Sequence, residues 1–227
     1  MIHAYDRQQP AQLVNEILKQ QASLPLKLRS KPMFTLELIG SFYASVEPMI
    51  RETPLFLQCP TDVRRQIVQN NMTAVGSFNA MIASIESDLF NSEIHRAVSR
   101  EIYGDEYIFQ SYRVLQNFDT NRLLLKVMMI ISAFSTNSSM IVFNHCPSNS
   151  SISQAVYLVR IQDAIATIFW KYLIYRYGFF EASIRYANLI KSHLDILKLL
   201  NQNSSHDHQR MVNSIVDQMN GNLSITY

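Results

Sequence analysis

A chain of 227 residues is long enough to bury a substantial core, and 48% apolar, 17% charged and 11% aromatic residues mark it as globular rather than disordered. With 20 Lys plus Arg against 18 Asp plus Glu the formal charge is +2, and neither sign forms a long block, so direct nucleic-acid binding is not expected. The two cysteines, Cys59 and Cys146, fit no zinc-ligand spacing and are too few for a disulfide framework, which implies a reducing compartment, no zinc module and no metal site within these residues. The first residues lack a basic region followed by an apolar run, so a secretory signal is not expected.

In chain order, residues 4 to 20 (AYDRQQPAQLVNEILKQ) fit a short amphipathic helix, followed by a loop, ASLPLKLRSKP. A longer helix begins near Pro32, which suits a first-turn position. Phe34, Leu38, Phe42 and Val46 recur every fourth residue along one stripe. Pro48 should kink or end this helix, and Pro54 and Pro60 bracket a connector. Thr61 or Asp62 is placed to cap the next helix, which runs to about Ile85.

From Gln66 to Ile85 there is no charged residue, yet Gln66, Gln69, Asn70, Asn71, Thr73, Ser77 and Asn79 make the run too polar for a membrane span. A helix without a charged face is usually enclosed. Leu123 to Phe134 is similar, with Lys126 its one charge. Two shorter helices are expected at Ser92 to Tyr103 and Glu106 to Gln116, separated by Gly104 and Asp105. Thr136 to Ser153 reads as a long polar loop. Gln154 to Tyr177 carries two apolar rows, one through Leu158, Ile161, Ile165, Ile168, Tyr172 and Tyr175, the other through Val159, Ala166, Phe169, Trp170, Leu173 and Tyr177. Gly178 should stop it, and Phe180 to Leu200 form a further helix. Three helices that need cover on both faces predict an all-α domain over residues 1 to 227, built as three helical layers, with a core at about 32 to 200 and a C-terminal tail at 201 to 227.

The stretch MIRETPLFLQCPTDVRRQIVQNNM, from Met49 to Met72, resembles without gaps the signature of nuclear hormone receptor ligand-binding domains. Arg51 stands at its basic position, Pro54 and Phe56 at its Pro-x-Phe, and Ile67 and Val68 at its apolar pair, with Asp62 in the turn. The Leu-rich helix, WKYLIYRYG and IRYANLIKSHLDIL then follow in the family's order. The fold implied is an antiparallel three-layer α-helical sandwich, a fold-level analogy that agrees with the layers expected from the enclosed helices.

The resemblance implies a ligand cavity walled by Phe42, Ser45, Met49, Val75, Phe78, Asn79 and Ile82, although apolar stripes at helical spacing are more often plain packing. The family's ligand-anchoring Arg has no counterpart near Ala83, so the ligand expected is neutral and lipophilic. A coregulator groove is implied at Arg51, Arg64 and Val68. Here the family's signature Gln is replaced by Arg64, apolar floor positions by Glu47 and Arg65, and the activation-helix Glu by Ser214 within Met211 to Val216, so coactivator recruitment in the usual manner is not implied. Leu189, His193, Ile196 and Leu200 form the stripe expected at a homo- or heterodimer interface with a receptor-like protein. The resulting expectation is a receptor-like module in the nucleus or cytoplasm, regulating transcription through another protein. A ligand-free helical interaction module, acting as dimer partner or decoy, is the alternative.

Catalysis is not expected, and neither is a cofactor. His145 beside Cys146, near Ser150 and Ser151, is not a triad, because no base or orienting acid is placed by the sequence. His206 and His208 have a spacing that can hold a metal, but beside Asp207 they read as a polar tail.

Overall fold

The computed structural model describes residues 10–25, 28, 31–135, 150–203 and 205–225. Every regular element among them is helical: α1 Pro10–Ser23, α2 Pro32–Ala44, α3 Glu47–Arg51, α4 Pro54–Leu57, α5 Thr61–Glu86, α6 Glu93–Tyr103, α7 Asp105–Gln116, α8 Arg122–Ala133, α9 Ser150–Leu200 and α10 His206–Ile225, with a 3-10 turn at Leu89–Asn91. None of these helices is long and apolar enough to cross a membrane.

The punctuation follows from the residues. Pro32, Pro48 and Pro54 each sit in the first turn of a helix, where the missing N–H costs nothing. Pro48 therefore opens α3 and ends the long helix expected from Pro32 at Ala44. Ser92 caps α6 by accepting from the His95 amide, and Asn121 caps α8 through the Leu123 amide. Neither Thr61 nor Asp62 caps α5. Its N-cap is Pro60, Thr61 instead accepts from Arg64, and Asp62 lies in the first turn, where the helix dipole favours a carboxylate. Gly178, at φ 75° and ψ 165°, breaks α9 into 150–177 and 179–200, and only glycine adopts that backbone without strain.

α5 is the centre of the packing, in contact with α1, α2, α8, α9 and α10. Fifteen of its residues are buried, among them Asn71, Ser77 and Asn79. The uncharged polar character of this helix has a structural cause. Asn79 donates from Nδ2 to the Phe42 carbonyl at 2.6 Å and to Ser45 Oγ at 2.9 Å, at the C-terminal end of α2. Asn71 donates to the carbonyls of Ala133 and Ser135, at 3.0 and 2.9 Å, at the end of α8. Two amides of the central helix thus serve the carbonyls that two neighbouring helices leave without an intrahelical donor.

α8 is enclosed as expected, with Leu124, Leu125 and Met128 to Ala133 buried. The first part of α9 departs from expectation. It is a helix, but one stripe, Leu158, Ile161, Ile165, Phe169 and Leu173, turns inward, drawing on both apolar rows. Val159, Ile168 and Tyr175 face outward at 52%, 70% and 90% exposure, because nothing else in the described chain reaches them. The second part of α9 is tied to the α7–α8 turn by Arg185, which binds both oxygens of Asp119 at 3.0 and 2.8 Å while lying over the Tyr177 ring.

Candidate functional site

A cavity of about 80 Å³ lies between α2, α5, α6, α7 and α10. From α5, Ser77, Ala80 and Ser84 face it at helical spacing, with Met81 beside them. α2 contributes Ile39 and Tyr43, α6 His95, Ser99 and Tyr103, α7 Tyr107, Ile108 and Ser111, and α10 contributes His208. Gly76 permits the approach of α2 to α5 that forms this wall, since a Cβ there would overlap the Tyr43 ring.

His208 organises the polar part. Its Nε2 lies 3.2 Å from the Tyr43 hydroxyl and its Nδ1 3.0 Å from the Tyr103 hydroxyl, while the Tyr43 hydroxyl also pairs with Ser77 Oγ. Burial pushes the imidazole down to about 4, so it is neutral at physiological pH, with one donor and one acceptor nitrogen for the two phenols. Burial likewise raises Tyr43, Tyr103 and Tyr107 well above the ordinary tyrosine range. The cluster is therefore neutral throughout. It suits hydrogen bonding to water or to a small uncharged molecule, and it holds no charged base beside a hydroxyl.

The seven residues expected to wall a cavity lie elsewhere. Phe42, Ser45, Met49, Val75, Phe78, Asn79 and Ile82 are all buried, none lines the cavity at His208, and Asn79 and Ser45 are occupied with the end of α2. The polar ring was missed because the sequence reading followed apolar stripes. The small-polar stripe Ser77, Ala80, Ser84 on the same helix was the available signal.

Of the groove residues, Val68 is buried beneath Met219 and Leu223 of α10. Arg51 is about half exposed and pairs with Glu47 at 3.5 Å, whereas Arg64 turns back to Thr61. Of the dimer stripe, Leu189 and Ile196 are 1% and 0% exposed, and His193 bonds Ser132 on α8 at 3.1 Å. These side chains pack inward within the chain. The same helix presents Phe179, Phe180, Ile184, Ile190 and Leu194 to solvent instead, at 70%, 79%, 43%, 39% and 48%.

The Ser132–His193 contact is not an activated nucleophile. Ser132 donates its proton to the Met128 carbonyl at 2.8 Å, so its Oγ accepts from the imidazole. His145 and Cys146 lie outside the described residues. His206 is exposed and His208 is buried, so the pair does not converge on one ion, and the segment read as a polar tail is instead the start of α10. Among the described residues no group of three His, Cys, Asp or Glu side chains is placed to hold a metal.

No family model, curated protein or solved structure matches this chain.

Proposed function

We propose that the chain is a protein-interaction module of the nuclear receptor ligand-binding-domain type, a three-layer helical sandwich that pairs with a second copy through α9 and influences transcription, from the nucleus or the cytoplasm, through the proteins it engages. The observation that carries this is the outward face of α9. Phe180 and Ile184 fall one turn apart on one side of the helix, the exposed Ala187 and Lys191 continue that side, Leu194 follows on the next turn, and Tyr175 and Phe179 are exposed on either side of Gly178. A stripe of large apolar side chains at this exposure is the signature of a surface that another protein covers. Glu181 and Lys191 on the same segment supply both signs of charge, which suits a surface that must complement itself across a two-fold axis.

The ligand arm of the receptor reading depends on the cavity at His208. Its volume of about 80 Å³ has room for a few waters. Pockets for drug-sized or lipid-sized molecules run to roughly 300–1,000 Å³. Size therefore favours the interaction reading over a lipophilic ligand held in this state.

Light scattering coupled to size exclusion tests the proposal. The protein should elute at twice its chain mass at micromolar concentration, and Phe180→Asp combined with Ile184→Asp should return it to a folded monomer. A wild-type monomer at tens of micromolar would overturn the pairing. Native mass spectrometry addresses the ligand arm, where a co-purifying lipid-sized mass would reverse the preference stated above.

A further inference from the structure

A polar groove of about 240 Å³ runs between the end of α7 and the last turns of α9, two helices in direct contact. Arg113, Val114 and Asn117 line it from α7 as one face at helical spacing, and Lys191, Asp195, Lys198 and Gln202 line it from α9 in the same way. Its floor is apolar, formed by the buried Val114 and Leu199, and its banks carry three cations against one carboxylate. The banks are held in register. Ser192 donates to the Asn117 carbonyl at 3.4 Å, and just beyond it Arg185 binds Asp119.

The charges are not balanced within the groove. Asp195 pairs with Lys191 at 2.8 Å, which leaves Arg113 and Lys198, both exposed, with no carboxylate partner among the described residues. Each stands in the last turn of its helix, where the dipole favours a cation. That accounts for a basic residue at each helix end, but it does not require the two to meet across one recess beside a third cation. A guanidinium fork matches the oxygens of a phosphoryl group, and a lysine adds a point charge. The carboxamides of Asn117 and Gln202 bring further donors to the same space. The volume is below the roughly 300–1,000 Å³ of pockets for drug-sized molecules, so the occupant is compact.

We infer that this groove is a binding site for a compact anion carrying two phosphoryl groups, one held by Arg113 on the α7 bank and the other by Lys198, with Lys191, on the α9 bank. Lys191 borders the exposed face of α9, whereas Lys198 lies beyond its last large apolar residue, Leu194, and Arg113 stands on another helix. The site therefore does not depend on the pairing proposed above.

The probe is inorganic pyrophosphate, titrated into the full-length protein at constant ionic strength and read by isothermal calorimetry. It should bind at one site per chain, about tenfold more tightly than orthophosphate or sulfate, because only the diphosphate reaches both banks. Arg113→Ala and Lys198→Ala should each weaken it by about tenfold, the loss of one charge-assisted contact. Arg113→Lys should lose less, since it keeps the charge and gives up only the fork. Lys171→Ala removes an equal charge from an exposed position on the first part of α9 and should leave binding unchanged. Light scattering of the Arg113 and Lys198 variants should match the wild type, which separates this site from the pairing. Vesicles containing phosphatidylinositol bisphosphate distinguish the source of the anion: flotation that Arg113→Ala abolishes assigns it to a lipid headgroup, and no flotation assigns it to a soluble diphosphate. Absence of pyrophosphate binding at millimolar concentration overturns the inference. So does binding that Lys171→Ala weakens as much as Lys198→Ala, which would be attraction to the overall charge.

Discussion

Gly76 shows how one residue sets the geometry of the candidate site. Its missing side chain lets the Tyr43 ring lie flat on α5, and that position brings the Tyr43 hydroxyl to both Ser77 and His208. A methyl group at residue 76 cannot be absorbed by a flexible side-chain end, because it meets the body of a fully buried ring. Gly76→Ala should gain a little intrinsic helix stability, yet the overlap should outweigh it and destabilise the fold by about 1–3 kcal/mol. Urea denaturation followed by circular dichroism measures the balance. Unchanged or increased stability would mean that Tyr43 has room to move, and the description of the His208 cluster would then need revision. Nothing in the sequence distinguished Gly76 from a tolerated helical glycine, because the reason for it lies 33 positions earlier in the chain.

At the scale of helices, residues that act locally were legible and residues that depend on the fold were not. Pro32, Pro48, Pro54, Gly104 and Gly178 state their effect on the backbone directly, and the breaks stand at or beside each of them. The inward face of α9 was harder, because two apolar rows on a helix record that both sides want cover without recording who provides it. One face is met by the described residues and the other is not. Buried Asn71 and Asn79 were equally opaque, since their partners are carbonyls of α2 and α8 brought close only by packing. Gly178 supplies the prediction at this scale. Trp170, the only tryptophan, contacts Phe179 across the break at 6.0 Å and Tyr186 at 5.7 Å. Gly178→Ala should either cost about 1–3 kcal/mol for a strained backbone or relax the corner and separate these rings. Both outcomes are readable, the first in the unfolding midpoint and the second in the Trp170 emission spectrum, and a variant unchanged in both would contradict the conformation at residue 178.

Among the described residues three imidazoles, the buried His208 and the half-buried His95 and His193, stand at separate helix junctions, and together they make stability a function of pH. His95 lies on α6 beside the cavity, His193 joins α9 to α8, and His208 joins α10 to α2 and α6. Burial pushes each down to about 4, from 6.5 in a free side chain. The sign follows from which state binds the proton first. As pH falls below about 6.5 the unfolded chain protonates these side chains while the folded one does not, so protons accumulate on the unfolded state and stability drops; below about 4 both states are protonated and the loss levels off. Between pH 7 and pH 5 each imidazole should remove about 1–2 kcal/mol, enough for the three together to bring a domain of ordinary stability near its unfolding threshold. Urea midpoints measured at pH 7, 6 and 5 should decline in step. His208→Gln should be less stable than wild type at pH 7, because it disturbs the two tyrosine contacts, and should show a shallower decline toward pH 5, because one titrating group is gone. A midpoint independent of pH over that range would show that these histidines are hydrated in solution, and with them the junctions that hold α10 in place.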